Sequence, residues 1–299
     1  MGLMLTNNKK YTEGISAIDA ALDADALFTP QVTGTILPDG SVDDSTFTVY
    51  RTLGDGSQRV LNAGVKKGYH AESYRSLLDT AEAMFPQSVQ SLQTWDNGAV
   101  LIFTQQIAEP FTFGDGDTLT QHVMYTASLN STFATAAVGF SFRPFCTNQM
   151  GLGTIQLAQK RTKRHDELLF VKASIMATAA GKFEAFVQDA AMLKGLAMTP
   201  TLKKRILDRV APLLDEDEAA PKAVNHAQRR RDGIEYFYAE EAAAFGENGY
   251  ALMQAVQTFE FHEATKGKSK ELKQVRVVTD PARNQSLTDQ AARMLLASV

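Results

Sequence analysis

The stretch that most restricts the fold of this chain is SVQSLQTWDNGAVLIFTQQI, residues 88–107. Two β-prone runs flank Asp96-Asn97-Gly98, the strongest short-range signal for an antiparallel hairpin. TQHVMYTASL and ATAAVGFSF supply two further strands, and FTFGDGDT between them and the hairpin reads as an exposed loop. Upstream, LFTPQVTGTIL and FTVYR flank the turn LPDGS, and Gly54-Asp55-Gly56-Ser57 leads into RVLNAGV, which predicts a meander. Two helices are expected here. One covers about 12–24, with Ile15, Ile18, Ala21 and Leu22 at helical spacing, and the other covers 71–85, stopped by Pro86.

Beyond residue 147 the pattern turns helical. Leu169, Ile175, Met176, Ala179, Phe183, Phe186 and Ala190 recur at helical intervals. Further helices are expected over Thr201–Leu214, about 221–242, about 246–263, and after Asn284 or Ser286. The fold class is therefore α+β: an antiparallel meandering sheet with packed helices in the first half, and a mostly helical second half. The acidic run Asp215 to Glu218 with Pro221 marks a boundary, giving an α+β core domain over 1–214 with a long helix. A helical C-terminal subdomain over 219–299 is expected to pack on it.

Composition excludes several classes. The net charge of −4 argues against a uniformly polyanion-binding surface but leaves room for a local basic groove. One cysteine forms no internal disulfide, no apolar run is long enough to span a membrane, and the start lacks a signal-peptide pattern. The expectation is a cytoplasmic protein without membrane contact; Met1-Gly2 through Thr6 fits only the permissive myristoylation pattern. No Walker or dinucleotide loop is present, and the five histidines match no metal motif. No cofactor and no metal are expected; Asp55, Asp115 and Asp117 read as turn residues.

The only cysteine lies in FSFRPFCTNQM, residues 140–150. The alternation ending at Pro144 reads as a strand-to-helix corner, with Thr147 or Asn148 as N-cap and a short helix after Cys146. A cysteine at a helix start can be nucleophilic, with His122 or His165 as base, but no catalytic context surrounds it, and a buried thiol is the simpler reading. The chain is read as no enzyme, with no catalytic residues. Arg143 falls on the face opposite Phe140 and Phe142. With Lys66, Lys67 and Tyr69 it would suit a single nucleic-acid strand, the alternative being an arginine paired to a carboxylate. Lys160, Arg161, Lys163 and Arg164, followed by His165, form a basic cluster that could hold phosphates or cap a helix end. Arg229-Arg230-Arg231 fans around a helix and reads as solvated surface, and Lys266, Lys268, Lys270 and Lys273 read as a soluble loop or a mobile arm.

These residues carry a resemblance. VLNAGVKKGYHAESYRSLLDTAEAM, NGAVLIF, VGFSFRPFCTNQM and RTKRHDELL resemble the phage/plasmid-like family known as domain of unknown function 932 over roughly residues 50–265. The matching features are Gly68 with Tyr69, Arg143 with Cys146 and Asn148, and the run from Arg161 to His165. YALMQAVQTFEFHEATKG resembles the family's Asn-Ala-Val-Thr-Glu-Tyr-x-Asp-His helix. Gly68 and Tyr69 are adjacent where the family has a spacer, and Phe259-Glu260-Phe261-His262 departs from the family pattern. The resemblance implies carriage by phages, prophages and plasmids near recombination and single-strand-binding genes.

The functional expectation is a phage- or plasmid-derived DNA-metabolism protein that binds single-stranded DNA without catalysis. It would promote strand annealing in recombination as a homo-oligomer, in the host cell cytoplasm if phage-encoded. The alternative is a protein-interaction module acting on a host protein or defence factor, or in assembly. The acidic net charge and the apolar helices of the second half favour that alternative.

Overall fold

The computed structural model describes residues 4–67, 69, 71–132, 135–143, 148–150, 156–159, 183–215, 217–260 and 287–299, with backbone alone at 136, 138, 140–143, 148–150 and 156–159. The strands in chain order are β1 (Leu5–Ile15), β2 (Gln31–Ile36), β3 (Val42–Thr52), β4 (Gln58–Lys66), β5 (Val89–Trp95) and β6 (Val100–Gln106). They continue as β7 (Phe111–Thr112), β8 (Thr118–Ser128), β9 (Thr135–Arg143), β10 (Asn148–Met150) and β11 (Gln156–Gln159). The helices are α1 (Ala17–Asp23), α2 (Arg75–Met84), α3 (183–195), α4 (Pro200–Val210), α5 (Pro221–Phe245), α6 (Gly249–Thr258) and α7 (Leu287–Leu296). The fold is α+β, with antiparallel sheets in the first half and helices in the second. No described helix is long and apolar enough to cross a membrane.

The chain divides into two compact units. Met1–Pro110, Thr120–Phe140 and Thr154–Ala179 make the first; Phe111–Leu119, Ser141–Gly153 and Ala180–Val299 make the second.

In the first unit the hairpin expected around Asp96-Asn97-Gly98 forms between β5 and β6, with Leu92 opposite Phe103 and Trp95 opposite Val100. Asp96, Asn97 and Gly98 all take positive φ, a conformation that Asn, Asp and Gly tolerate best. The turn is tied to β1: the Asp96 N–H donates to the Met4 carbonyl and the Asn97 N–H to Thr6 Oγ1. The strand order is β1-β5-β6-β8-β9, with β11 pairing the start of β9. The expected meander is a separate three-stranded antiparallel sheet, β2-β3-β4.

One face of the larger sheet presents Leu92, Leu101, Phe103, Val123, Tyr125 and Ala127 to the core. Fully burying such side chains contributes about 1.5–3 kcal/mol each. Phe103 and Tyr125 face each other across β6 and β8, and their rings stack at 4.6 Å. Against this face lie Ala17, Ala20 and Ala21 of α1, and Leu77, Leu78 and Ala81 of α2. Glu82 accepts from the Ala17 N–H at 2.7 Å, satisfying a free donor at the start of α1.

The helix expected over 12–24 is corrected. Residues 5–15 form β1, because the open edge of β5 offers them a ladder with Lys9 opposite Leu92. The helix begins only after Ser16, whose Oγ accepts from the Asp19 N–H, and its buried side is the alanine face, with Leu22 exposed.

In the second unit α3 to α7 close a core around α6, every residue of which is buried. Asn248 caps α6 by accepting from the Ala251 N–H, and Thr199 caps α4 by accepting from the Leu202 N–H. Glu260 caps α7, accepting from the Leu287 and Thr288 N–H groups and the Thr288 hydroxyl. The expected helix starts near 200, 221, 246 and 286 all fall within a few residues of those found.

Candidate nucleic-acid interface

The residues expected to hold a nucleic acid are placed as follows. Lys66 ends β4 opposite Thr46, and Lys67 follows in a turn closed by the Tyr69 N–H donating to the Lys66 carbonyl. Both lysines are exposed, with no carboxylate partner among the described residues. The Tyr69 ring packs against the first core and its hydroxyl donates to the Leu129 carbonyl at 2.6 Å, beside the Asn62 amide that donates to the same oxygen. Lys66, Lys67 and Tyr69 thus share one turn, where Tyr69 is an anchor.

Arg143 ends β9 in the second unit, paired with Asn148 of β10. Gln149 and Met150 continue that ladder opposite Phe142 and Ser141. The expected helix start at Thr147 or Asn148 is therefore corrected: from Asn148 the chain returns antiparallel along β9, since the end of β9 offers unpaired backbone groups that a strand satisfies. Lys160, Arg161, Lys163, Arg164, His165 and Cys146 lie outside the described residues, as do Lys266, Lys268, Lys270 and Lys273.

Two further expectations change. FTFGDGDT is exposed over most of its length, as expected, but it is the β7–β8 hairpin rather than a free loop: Phe113 packs on the second core and Asp117 is buried. Lys194 of α3, named by no motif, holds it down. Its ammonium lies 2.6 Å from Asp115 and 3.1 Å from Asp117, against the rings of Phe113, Phe245 and Tyr250 at 4.4–5.2 Å. Burial alone would raise the Asp115 carboxyl, but the Lys194 ammonium and the Asp117 N–H outweigh it and hold it below the usual carboxylate range. The pair of aspartates two residues apart in a Gly-rich turn was the available signal, and it called for a cation that only the fold supplies.

Arg231 is the second change. Its side chain is buried, donating to Asp208, to Glu235 and to the Ala211 carbonyl, so it is a tie between α4 and α5. Arg229 stays exposed and Arg230 half-buried on the same helix.

Of the histidines weighed as bases, His122 is buried on β8 with Nε2 2.8 Å from Thr120 Oγ1. Desolvation lowers its pKa to about 4, which keeps the imidazole neutral. Among the described residues, no group of three His, Cys, Asp or Glu side chains gathers to hold a metal ion.

The family model described as domain of unknown function (DUF932) matches residues 65–297. The chain belongs to the DUF932 family. No curated protein and no solved structure matches it. The DUF932 region begins at the end of β4 and takes in the DNG hairpin, the β9–β10 hairpin and all the helices of the second unit. The helix resembling the family's Asn-Ala-Val-Thr-Glu-Tyr segment is α6, and Glu260, in the stretch that departs from the family pattern, is the cap of α7.

Proposed function

We propose that this DUF932 chain is a phage- or plasmid-derived protein of DNA metabolism that binds single-stranded nucleic acid without catalysis, and that it promotes strand annealing as an oligomer. The observation that carries this reading is the uneven distribution of charge. Residues 1–140 hold seven Lys and Arg against fifteen Asp and Glu, a net of −8; residues 141–299 hold twenty-three against nineteen, a net of +4. A polyanion responds to the local field rather than the sum over the chain, so a modestly acidic protein can still offer a cationic half. The strand is held by Arg143 and the run from Lys160 to His165. Lys66 and Lys67 belong to the acidic half and contribute less.

Fluorescence anisotropy with labelled single-stranded DNA across a salt series tests it. Replacing Arg161, Lys163 and Arg164 together with glutamine should weaken binding and flatten the salt dependence by about 2 in log–log slope, at roughly 0.7 for each phosphate left unneutralised. No binding at low salt by the unaltered chain, or an unchanged slope in the variant, sinks the reading.

The tip of the β2–β3 hairpin favours a second reading as a protein-interaction module. Ile36 is 70% exposed, and its cross-strand partner Val42 and neighbouring Leu37 are exposed too. Apolar side chains clustered at a hairpin tip suit a protein partner better than phosphates. A partner captured in a nuclease-resistant way by the native chain, and no longer captured by Ile36→Asp, would support this second reading.

A further inference from the structure

The charged groups of α5 are not treated alike. Asp232 accepts from the Gln228 amide at 2.7 Å, Glu235 from Arg231 Nε at 3.2 Å, and Glu240 from the Tyr236 hydroxyl at 2.8 Å. These acids are engaged. By contrast Lys222, His226 and Arg229 are exposed and Arg230 half-buried, and none has a carboxylate partner among the described residues. Residues 219–231 contain no Asp or Glu at all. Lys222 and His226, and His226 and Arg230, stand four apart on the helix, so their side chains are neighbours along its surface.

Helix geometry aligns Lys222 and Arg229 with Tyr236, while Arg230 is turned ~100° from Arg229. Lys222, Arg229 and Tyr236 are seven residues apart, close to two full turns, so they drift by only ~20° and rise by ~10.5 Å at each step. Their line lies roughly opposite Arg231, Ile234 and Tyr238, which point into the core. Tyr236, 61% exposed, ends it. The result is a run of cations about two turns long, with no carboxylate paired to it among the described residues, leading to an exposed tyrosine whose hydroxyl donates to Glu240.

We infer that this face of α5 is a binding track for single-stranded nucleic acid, separate from the surface expected at Arg143 and residues 160–165. Lys222, Arg229 and Arg230 engage successive phosphates, His226 donates a hydrogen bond beside them, and Tyr236 stacks on a base. Interleaved cations and an aromatic platform are the combination that holds a single strand without reading its sequence. The inference rests on the nucleic-acid reading above and names a second surface for it.

The test uses the full chain with fluorescein-labelled oligo(dT). Lys222→Gln, Arg229→Gln and Arg230→Gln together should cost about tenfold in affinity at low salt and lower the log–log salt slope by about 2. Arg229→Lys with Arg230→Lys, which keeps the charge, should retain most of the binding. Tyr236→Trp places an exposed indole on the track, whereas the chain's single tryptophan, Trp95, is buried. Stacked bases should quench the new fluorescence. A triple variant that binds with native affinity and slope, or an indole at 236 that oligo(dT) leaves unquenched, overturns the inference while leaving the broader reading intact. Loss of binding in the α5 variant with none in the Arg161, Lys163 and Arg164 variant supports the inference and moves the main binding surface away from 160–165. Failure of the native chain to bind overturns both.

Discussion

Lys194 and Asp115 meet at 2.6 Å across the second unit, the ammonium of α3 reaching the turn between β7 and β8. Asp117, whose side chain is fully buried, lies 3.1 Å from the same ammonium. Removing the lysine takes an ion partner from the buried Asp117. Breaking a buried pair in this way typically costs about 3–5 kcal/mol. Lys194→Met should therefore lower the denaturation midpoint strongly, and Lys194→Met with Asp117→Asn should recover part of the loss. Equal stability in the single variant and the native chain would show that the ammonium does not hold the turn.

His122 makes stability depend on pH. Its folded pKa of about 4 lies below the ordinary histidine value near 6.5. Between those values the unfolded chain binds a proton that the folded chain refuses, so stability falls as pH drops from about 6.5 towards 4, by on the order of 3 kcal/mol in total. Urea unfolding at pH 7 and pH 5 should show the decline in the native chain and a shallower one in His122→Gln. Parallel slopes would exclude His122 as the cause.

Gly98 has φ of +87°, and a Cβ there would sit 2.7 Å from the Phe28 ring and 3.1 Å from the Arg51 guanidinium. That guanidinium is itself enclosed, stacked on Phe28 and donating to Asp25 and to the Asn97 carbonyl. Gly40 has nearly the same φ, +82°, but open space around it. Gly40→Ala should cost only the backbone term, about 1–2 kcal/mol. Gly98→Ala should cost clearly more in the same thermal melt.

Gly233 reverses a common rule. Alanine in place of a glycine inside a helix ordinarily stabilises by up to about 1 kcal/mol. At Gly233 the new Cβ would lie 2.7 Å from two carbons of the Phe259 ring at the end of α6. Gly233→Ala should lower the melting temperature, and Gly233→Ala with Phe259→Leu should restore part of it. A rise in the single variant would show that Phe259 moves aside freely.

The helix pattern of the second half and the DNG hairpin were legible because they rest on local rules. Helical spacing, caps at Thr199 and Asn248, and residues that accept positive φ act within a few positions of one another. β1 was not legible: residues 5–15 carry no strong alternation, and they become a strand because β5 has an edge to fill. The corner at Arg143 failed for a related reason. Pro144 signals the end of a strand, but whether the chain then coils or reverses depends on a ladder that only β9 provides.

The candidate site follows the same division. The sequence by itself determined which residues are cationic, how far apart they stand, and that charge separates along the chain. It could not tell Arg231 from Arg229, neighbours of one residue type two positions apart. The tertiary structure decided that, by bringing Asp208 and the Ala211 carbonyl of another element to Arg231 while leaving Arg229 in solvent. The same holds for Lys194, whose partners lie near residue 115, about eighty positions away. Charge and spacing are properties of the chain, whereas the pairing of a charge depends on which distant groups folding carries to it. That pairing separates a structural cation from one available to a ligand.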